Sequence, residues 1–303
     1  MHKQATAFQA IFTDIDGTLL TSDHTISPLT REKLREAADN GMLFCPVSAR
    51  SPFCIEPILK ENSLNGCMIA FNGAMILDEH RNILYENGME LARVKELIQF
   101  IEQEHFDLAW QVYTGTDWIV ASREDTRIRR EESIVGVKSQ ERPLDTLAED
   151  TVIGKVLCLC NPEITDTVAG ILQTRFPQYS IVRSSPIHLE INAAGTNKAL
   201  AVRRLCQLKG ILLEQVIAFG DNYNDLEMLK TAGTGIVMGN APEDIKEQLP
   251  YVTEDNDHEG IAAALNWFSI QSIIVTSQSM RKSWCYVCCW MSRCRSSKAV
   301  RLS

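Results

Sequence analysis

The chain has 303 residues, of which 45% are hydrophobic, and a formal net charge of −9. That length holds two domains, and the hydrophobic share suits a globular chain. The acidic balance argues against non-specific nucleic-acid binding, which runs on basic patches. No apolar run approaches the ~18–20 residues of a membrane-spanning helix.

Residues 1–7 lack the apolar core of a signal peptide. Cys45, Cys54, Cys67, Cys158, Cys160 and Cys206 sit mostly inside apolar runs, so buried, reduced thiols and a cytoplasmic location are expected. The first predicted element is the apolar β-type run Ala10-Ile11-Phe12, which ends in Asp14 and Asp16, with Gly17-Thr18 behind them. Side chains alternate along a strand, so positions two apart point the same way. Two carboxylates there repel unless a cation or a reaction needs them, and Gly17 lets the backbone turn and free them. Metal-assisted phosphoryl transfer is one reading of this pattern, and a solvated Asp-Gly turn is the other.

Ser27-Pro28 supplies a helix cap and a proline at the first helical position, and Gly41 supplies the stop. Residues 42–47 form a second apolar strand ending in Ser48. Pro52 opens another helical stretch, which Pro57 should break or kink. Residues 67–71 are a continuous apolar run leading into Asn72-Gly73. Helices alternating with buried apolar strands indicate a parallel α/β sheet.

The rhythm then changes. Leu91, Val94, Leu97, Ile98 and Ile101 repeat at helical spacing. Residues 110–113 and 118–121 flank Thr114-Gly115-Thr116-Asp117 as a hairpin. Residues 152–160 read as one strand, Ile164 to Leu172 as a helix, and 179–182 and 187–191 as two strands. The arginines at 123, 127, 129 and 130 alternate with acids as a solvated face, and Trp110, Tyr113 and Trp118 read as core. This block, 83–190, is expected to be an inserted α+β domain. Residues 1–82 and 191–270 would then form a doubly wound, mainly parallel, Rossmann-like α/β core. Its second part holds a helix over 197–208, a strand over 216–219, a helix over 225–231, a strand over 235–238 and a helix over 260–268.

Residues 271–303 carry six basic residues and no acid, with Cys285, Cys288, Cys289 and Cys294 close together. One Cys-x-x-Cys arm without a second arm or a histidine does not make a zinc site. Without helical or strand period, this tail is expected to be poorly ordered.

Four elements in fixed order resemble the haloacid-dehalogenase-type phosphohydrolases: Asp14-Ile15-Asp16-Gly17, Ser48 after a strand, Lys198 opening a helix, and Gly220-Asp221-Asn222-Tyr223-Asn224-Asp225 after another strand. The insertion between Ser48 and Lys198, together with Asn72-Gly73-Ala74, is similar to the Cof-type members with a type-two cap. The resemblance implies Asp14 as nucleophile and Asp16 as acid/base. It implies Ile15 and Ala49 N–H, Ser48, Lys198 and Asn224 as phosphate binders. It gives the carboxylates of Asp14 and Asp221 and the Asp16 carbonyl to Mg²⁺, with Asp225 behind them orienting metal water or Lys198. Arg50, Asn72 and Gly73 are further candidates for substrate contact. Ala49 departs from the family, which usually has glycine there.

The implied activity is hydrolysis of small phosphorylated metabolites, such as sugar phosphates or phosphorylated cofactors. Two alternatives are a phosphomutase and a non-catalytic phosphometabolite sensor. Mutases of this fold generally insert their cap between the Asp16 and Ser48 elements, where about 30 residues leave room for one helix and one strand. A sensor would tolerate loss of Asp14 or Asp16, and both are present. No motif speaks to oligomeric state.

Overall fold

The computed structural model describes residues 8–267; the readings of 1–7 and of the basic tail lie outside the described residues. In β1 (Ala10–Thr13) every side chain is buried. Ile11 packs with Leu34, Ile55 and Leu59 on one side, and Phe12 with Val202, Leu205 and Met228 on the other. Burying such side chains contributes about 1.5–3 kcal/mol each. α1 (Pro28–Asp39) starts at the Ser27 cap, whose hydroxyl accepts from Thr30 N at 3.2 Å. β2 (Leu43–Pro46) follows.

α2 (Pro52–Glu61) runs through Pro57 without the expected break. The proline forfeits one backbone bond, and the fully buried Ile55 and Leu59 on either side of it hold the turn. Next come β3 (Met68–Ala70), β4 (Met75–Leu77) and β5 (Ile83–Glu86), an antiparallel trio tied to the end of β2 by a parallel bridge between Val47 and Ile69.

The second block begins at β6 (Met89–Glu90) and α3 (Leu91–Gln103), which buries all five of its periodic apolar residues. β7 (Leu108–Tyr113) and β8 (Trp118–Val120) form the expected hairpin. α4 (Thr126–Val135) and β9 (Gln140–Glu141) complete this half. The single strand expected over 152–160 is two. β10 (Val152–Ile153) pairs with β6, Gly154 interrupts, and β11 (Lys155–Cys160) enters a different sheet. α5 (Thr165–Arg175), β12 (Tyr179–Arg183) and β13 (His188–Ala193) close the block. Its six-stranded sheet has the order β12-β13-β11-β7-β8-β9. β5 pairs with β4, and β13 runs to Ala193.

The chain then returns to the first sheet through α6 (Lys198–Lys209), β14 (Val216–Gly220), α7 (Leu226–Thr231), β15 (Thr234–Val237), α8 (Glu243–Lys246) and β16 (Tyr251–Val252), with helical residues over 260–267. The five strands of that sheet are all parallel in the order β16-β15-β14-β1-β2. The chain therefore winds outward in both directions from the β1–β14 pair. In open parallel sheets such a switch point leaves a crevice beyond the carboxyl ends of the strands.

The arginine stretch around α4 is laced with ion pairs as expected, Arg127 with Asp125 and Arg129 with Glu124, but one of its acids is not solvated. Glu132 is buried and accepts from Arg123, Lys138 and Ser139. The three aromatic residues also divide. Trp110 packs among the α3 and α5 side chains, whereas Tyr113 and Trp118 join a cluster containing Phe71 and Met75 of the first block. Tyr113 stacks on Phe53 of α2 at 6.3 Å between ring centroids.

Candidate active site

Asp14 follows β1, Ser48 lies just past β2, and Asp221 follows β14. The parallel register that pairs Thr13 with Phe219 and with Pro46 sets these ends side by side. Asp14 N donates to Phe219 O at 3.0 Å, which fixes the nucleophile candidate against the strand that carries Asp221. Beyond it the Ile15 carbonyl accepts from Leu19 and Leu20 at 3.0 and 2.9 Å, curling the loop. Gly17 has φ +81°, and a Cβ there would lie 2.5 Å from Asp221 Oδ2. Both the left-handed backbone and the close approach call for glycine.

Lys198, at the first position of α6, is 1% exposed. Asn197 places it by capping the helix, its side chain accepting from Leu200 N at 2.8 Å. The Lys198 ammonium donates to Asp14 Oδ1 at 2.5 Å and to Asp225 Oδ1 at 2.6 Å. Asp225 is fully buried. Its second oxygen accepts from the N–H groups of Asp221 and Asn222 at 3.1 and 3.0 Å. It makes no side-chain cap to α7, so it acts as an anchor for the loop and the lysine.

Carboxylate oxygens of Asp14, Asp221 and Asp225 lie within 4.8 Å of one another. Burial, with Asp225 and Asp221 nearby, pushes the Asp14 carboxyl up to about 8 against the opposing pull of Lys198. Burial also raises Asp221 to about 6, although a 2.7 Å hydrogen bond from Thr18 works the other way. Burial by itself would lower Lys198; Asp14 and Asp225 outweigh it and hold the ammonium above its usual value. Three crowded carboxylates answered by one ammonium leave the site short of positive charge. An all-oxygen donor set of this kind fits a hard divalent cation.

The remaining candidates fall into place unevenly. Ser48 is buried, and its Oγ accepts from Arg50 N at 3.1 Å. Ala49 keeps a negative φ, so its methyl group does not strain the loop. Asn224 Nδ2 donates to Asn72 Oδ1 at 3.3 Å, bringing those two together. Gly73 is buried and packs against the backbone of Asn197, which supports α6. Arg50 holds Asp16, donating from Nε at 2.9 Å and Nη2 at 2.6 Å. Three residues missed in the sequence also meet here. Thr18 binds Asp221, Asn240 Nδ2 donates to Gly17 O at 2.8 Å, and Lys155 reaches Ala49 O. Asn240 lies just beyond β15, so the strand-end logic that found the others also covers it.

Residues 11–265 match the family described as haloacid dehalogenase-like hydrolase. The chain is 37% identical to an inferred phosphatase of Haemophilus influenzae over 85% of this chain and 97% of that one. It is 30% identical to the HMP-PP phosphatase of Yersinia pseudotuberculosis, over 84% and 94% of the two chains. Among solved structures, a haloacid dehalogenase-like hydrolase from Bacteroides thetaiotaomicron superimposes with a TM-score of 0.80 at 29% identity, covering 86% of this chain and 99% of that one. A subclass IIB sugar phosphatase superimposes with a TM-score of 0.72 at 26% identity, with coverage of 86% and 99%.

Proposed function

The chain belongs to the haloacid dehalogenase-like hydrolase family as a phosphatase, and from that premise we propose that it hydrolyses small phosphorylated metabolites with Mg²⁺ through an aspartyl-phosphate on Asp14. The block between 89 and 193 is then the cap over the catalytic core. The observation that carries the reading is the buried bridge from Asp14 through Lys198 to Asp225, placed at the sheet's switch point.

The Asp14 carboxylate attacks phosphorus in line, forming an acyl-phosphate bond as the ester P–O bond breaks. Asp16 gives its proton to the leaving alkoxide. It then takes one from the water that attacks the aspartyl-phosphate, releasing inorganic phosphate and restoring Asp14. The Ser48 hydroxyl, the N–H groups of Ile15 and Ala49, Asn224 and Lys198 hold the phosphoryl oxygens while the charge shifts. Asp14, Asp221 and the Asp16 carbonyl would hold Mg²⁺, which when bound offsets the negative charge of carboxylate and phosphate.

Rapid acid quench during turnover of a phosphate monoester tests this. Peptide mass spectrometry should find one phosphoryl group on the Asp14 peptide in the wild type and none in Asp14→Asn. Phosphorylation elsewhere, or substantial turnover by Asp14→Asn, would overturn the mechanism.

A further inference from the structure

Two lysines are buried among the described residues, and they differ in company. Lys198 is neutralised by two carboxylates. Lys155, 8% exposed, has none within 4 Å among the described residues. Its ammonium donates to the Ala49 carbonyl at 3.1 Å and stands 5.2 Å from the centre of the Tyr113 ring. A carbonyl and a ring are neutral partners, and an ammonium taken out of water without an anion is costly to keep. Groups in that condition are ready to receive one.

The fold holds Lys155 in this position. A Cβ on the preceding Gly154 would lie 2.3 Å from the Phe71 ring, so the chain passes the core in close contact just before the lysine. In the cap sheet Lys155 pairs with Tyr113, and Asn192 lies one step past the Val156–Ile191 pair. Directly opposed residues share a face, so Tyr113, Lys155 and Asn192 line one strip. Asn192 is 8% exposed, and its Oδ1 has no hydrogen-bond partner among the described residues. Cation and acceptor are thus both left open beside Ala49, on the cap side of the phosphate loop.

We propose that Lys155 is a specificity-determining residue that receives a second anionic group, a carboxylate or another phosphate, carried on the leaving-group side of the substrate. This rests on the phosphatase reading above and adds what the alcohol part must carry. Asn192 Oδ1 accepts from a hydroxyl of the same part.

Matched substrates test it. Glycerol 3-phosphate and 3-phosphoglycerate differ by a carboxylate, and fructose 6-phosphate and fructose 1,6-bisphosphate by a second phosphate. The wild type should prefer the more anionic member of at least one pair by kcat/KM, and the pair that responds identifies the anion. Lys155→Met should cut that preference roughly 10- to 100-fold, as loss of a charge-assisted hydrogen bond does, and Lys155→Arg should keep most of it. No wild-type preference, or equal losses on both members, overturns the proposal and leaves Lys155 to the transferring phosphoryl group or to packing. Should Lys155→Met not fold, product inhibition of the wild type decides. In the pair that responds, the anionic product (glycerate, or fructose 1-phosphate) must inhibit p-nitrophenyl phosphate hydrolysis at lower concentration than its neutral counterpart (glycerol, or fructose), and equal inhibition overturns the assignment. Failure of the underlying phosphatase reading looks different: no substrate turns over and Asp14 is never phosphorylated.

Discussion

Arg50 grips Asp16 through two parallel N–H···O contacts, 2.9 and 2.6 Å long, across the mouth of the acidic site. A fork of this kind fixes the orientation of a carboxylate, and lysine cannot reproduce it. Asp16→Ala should slow turnover by about 10²–10⁴ on alkyl esters. The loss should be much smaller on p-nitrophenyl phosphate, whose leaving group needs little protonation. Arg50→Lys should show the same discrimination in weaker form. Equal losses on both esters would argue against Asp16 as general acid and Arg50 as the residue that aims it.

Asp221 and Asp225 are four residues apart and should respond oppositely to removal. Asp225→Ala strips the buried Lys198 of one of its two carboxylates and frees two backbone N–H groups. Breaking a buried ion pair from one side costs about 3–5 kcal/mol, so its thermal midpoint should fall sharply. Asp221→Ala relieves like-charge crowding and should keep its midpoint in metal-free buffer, while the Mg²⁺ concentration needed for half-maximal activity rises. Activity that survives EDTA in the wild type would remove the metal from the mechanism.

What could be read from the chain followed from period and position. Asp14, Ser48 and Asp221 were legible because each terminates an apolar strand, and a parallel sheet gathers such ends on one edge. α4 was not. Its inward positions are Ile128, Glu132 and Val135, so a buried glutamate sits in the middle of the apolar face and erases the period. The break at Gly154 did carry a mark, a glycine and a lysine interrupting the apolar run over 152–160, because glycine inside a strand weakens it and marks a bend or a close backbone approach. That mark says nothing of a site, so the role of Lys155 stayed hidden. This lysine opens β11, far in sequence from the candidate site motifs, and only the packing of that sheet against the loop after β2 brings it to Ala49.

Gly17 allows a sharper steric test. Alanine at φ +81° costs about 1–2 kcal/mol in backbone strain, and its methyl group would be driven into Asp221 Oδ2. Gly17→Ala should therefore lose stability and, in addition, raise the Mg²⁺ requirement, because the displaced group is a proposed ligand. Lowered stability with an unchanged Mg²⁺ requirement would separate Asp221 from the metal.

Glu132 predicts a pH dependence away from the candidate active site. Hydrogen bonds from Arg123, and further ones from Lys138 and Ser139, hold its carboxyl far below the usual glutamate value despite burial. A group whose pKa is depressed by folding stabilises the protein above its unfolded pKa and loses that contribution as pH falls through the folded value. The stabilisation is therefore complete at neutral pH and declines below about pH 4.5, where the unfolded glutamate begins to protonate. Glu132→Gln should cost about 1–3 kcal/mol at pH 7, a modest figure because the Arg123 and Lys138 side chains are 42% and 76% exposed and water screens them. The gap in thermal midpoint between wild type and variant should narrow steadily under acid. A gap that stays constant from neutral pH to pH 3 would show that Glu132 acts through packing instead of through its charge.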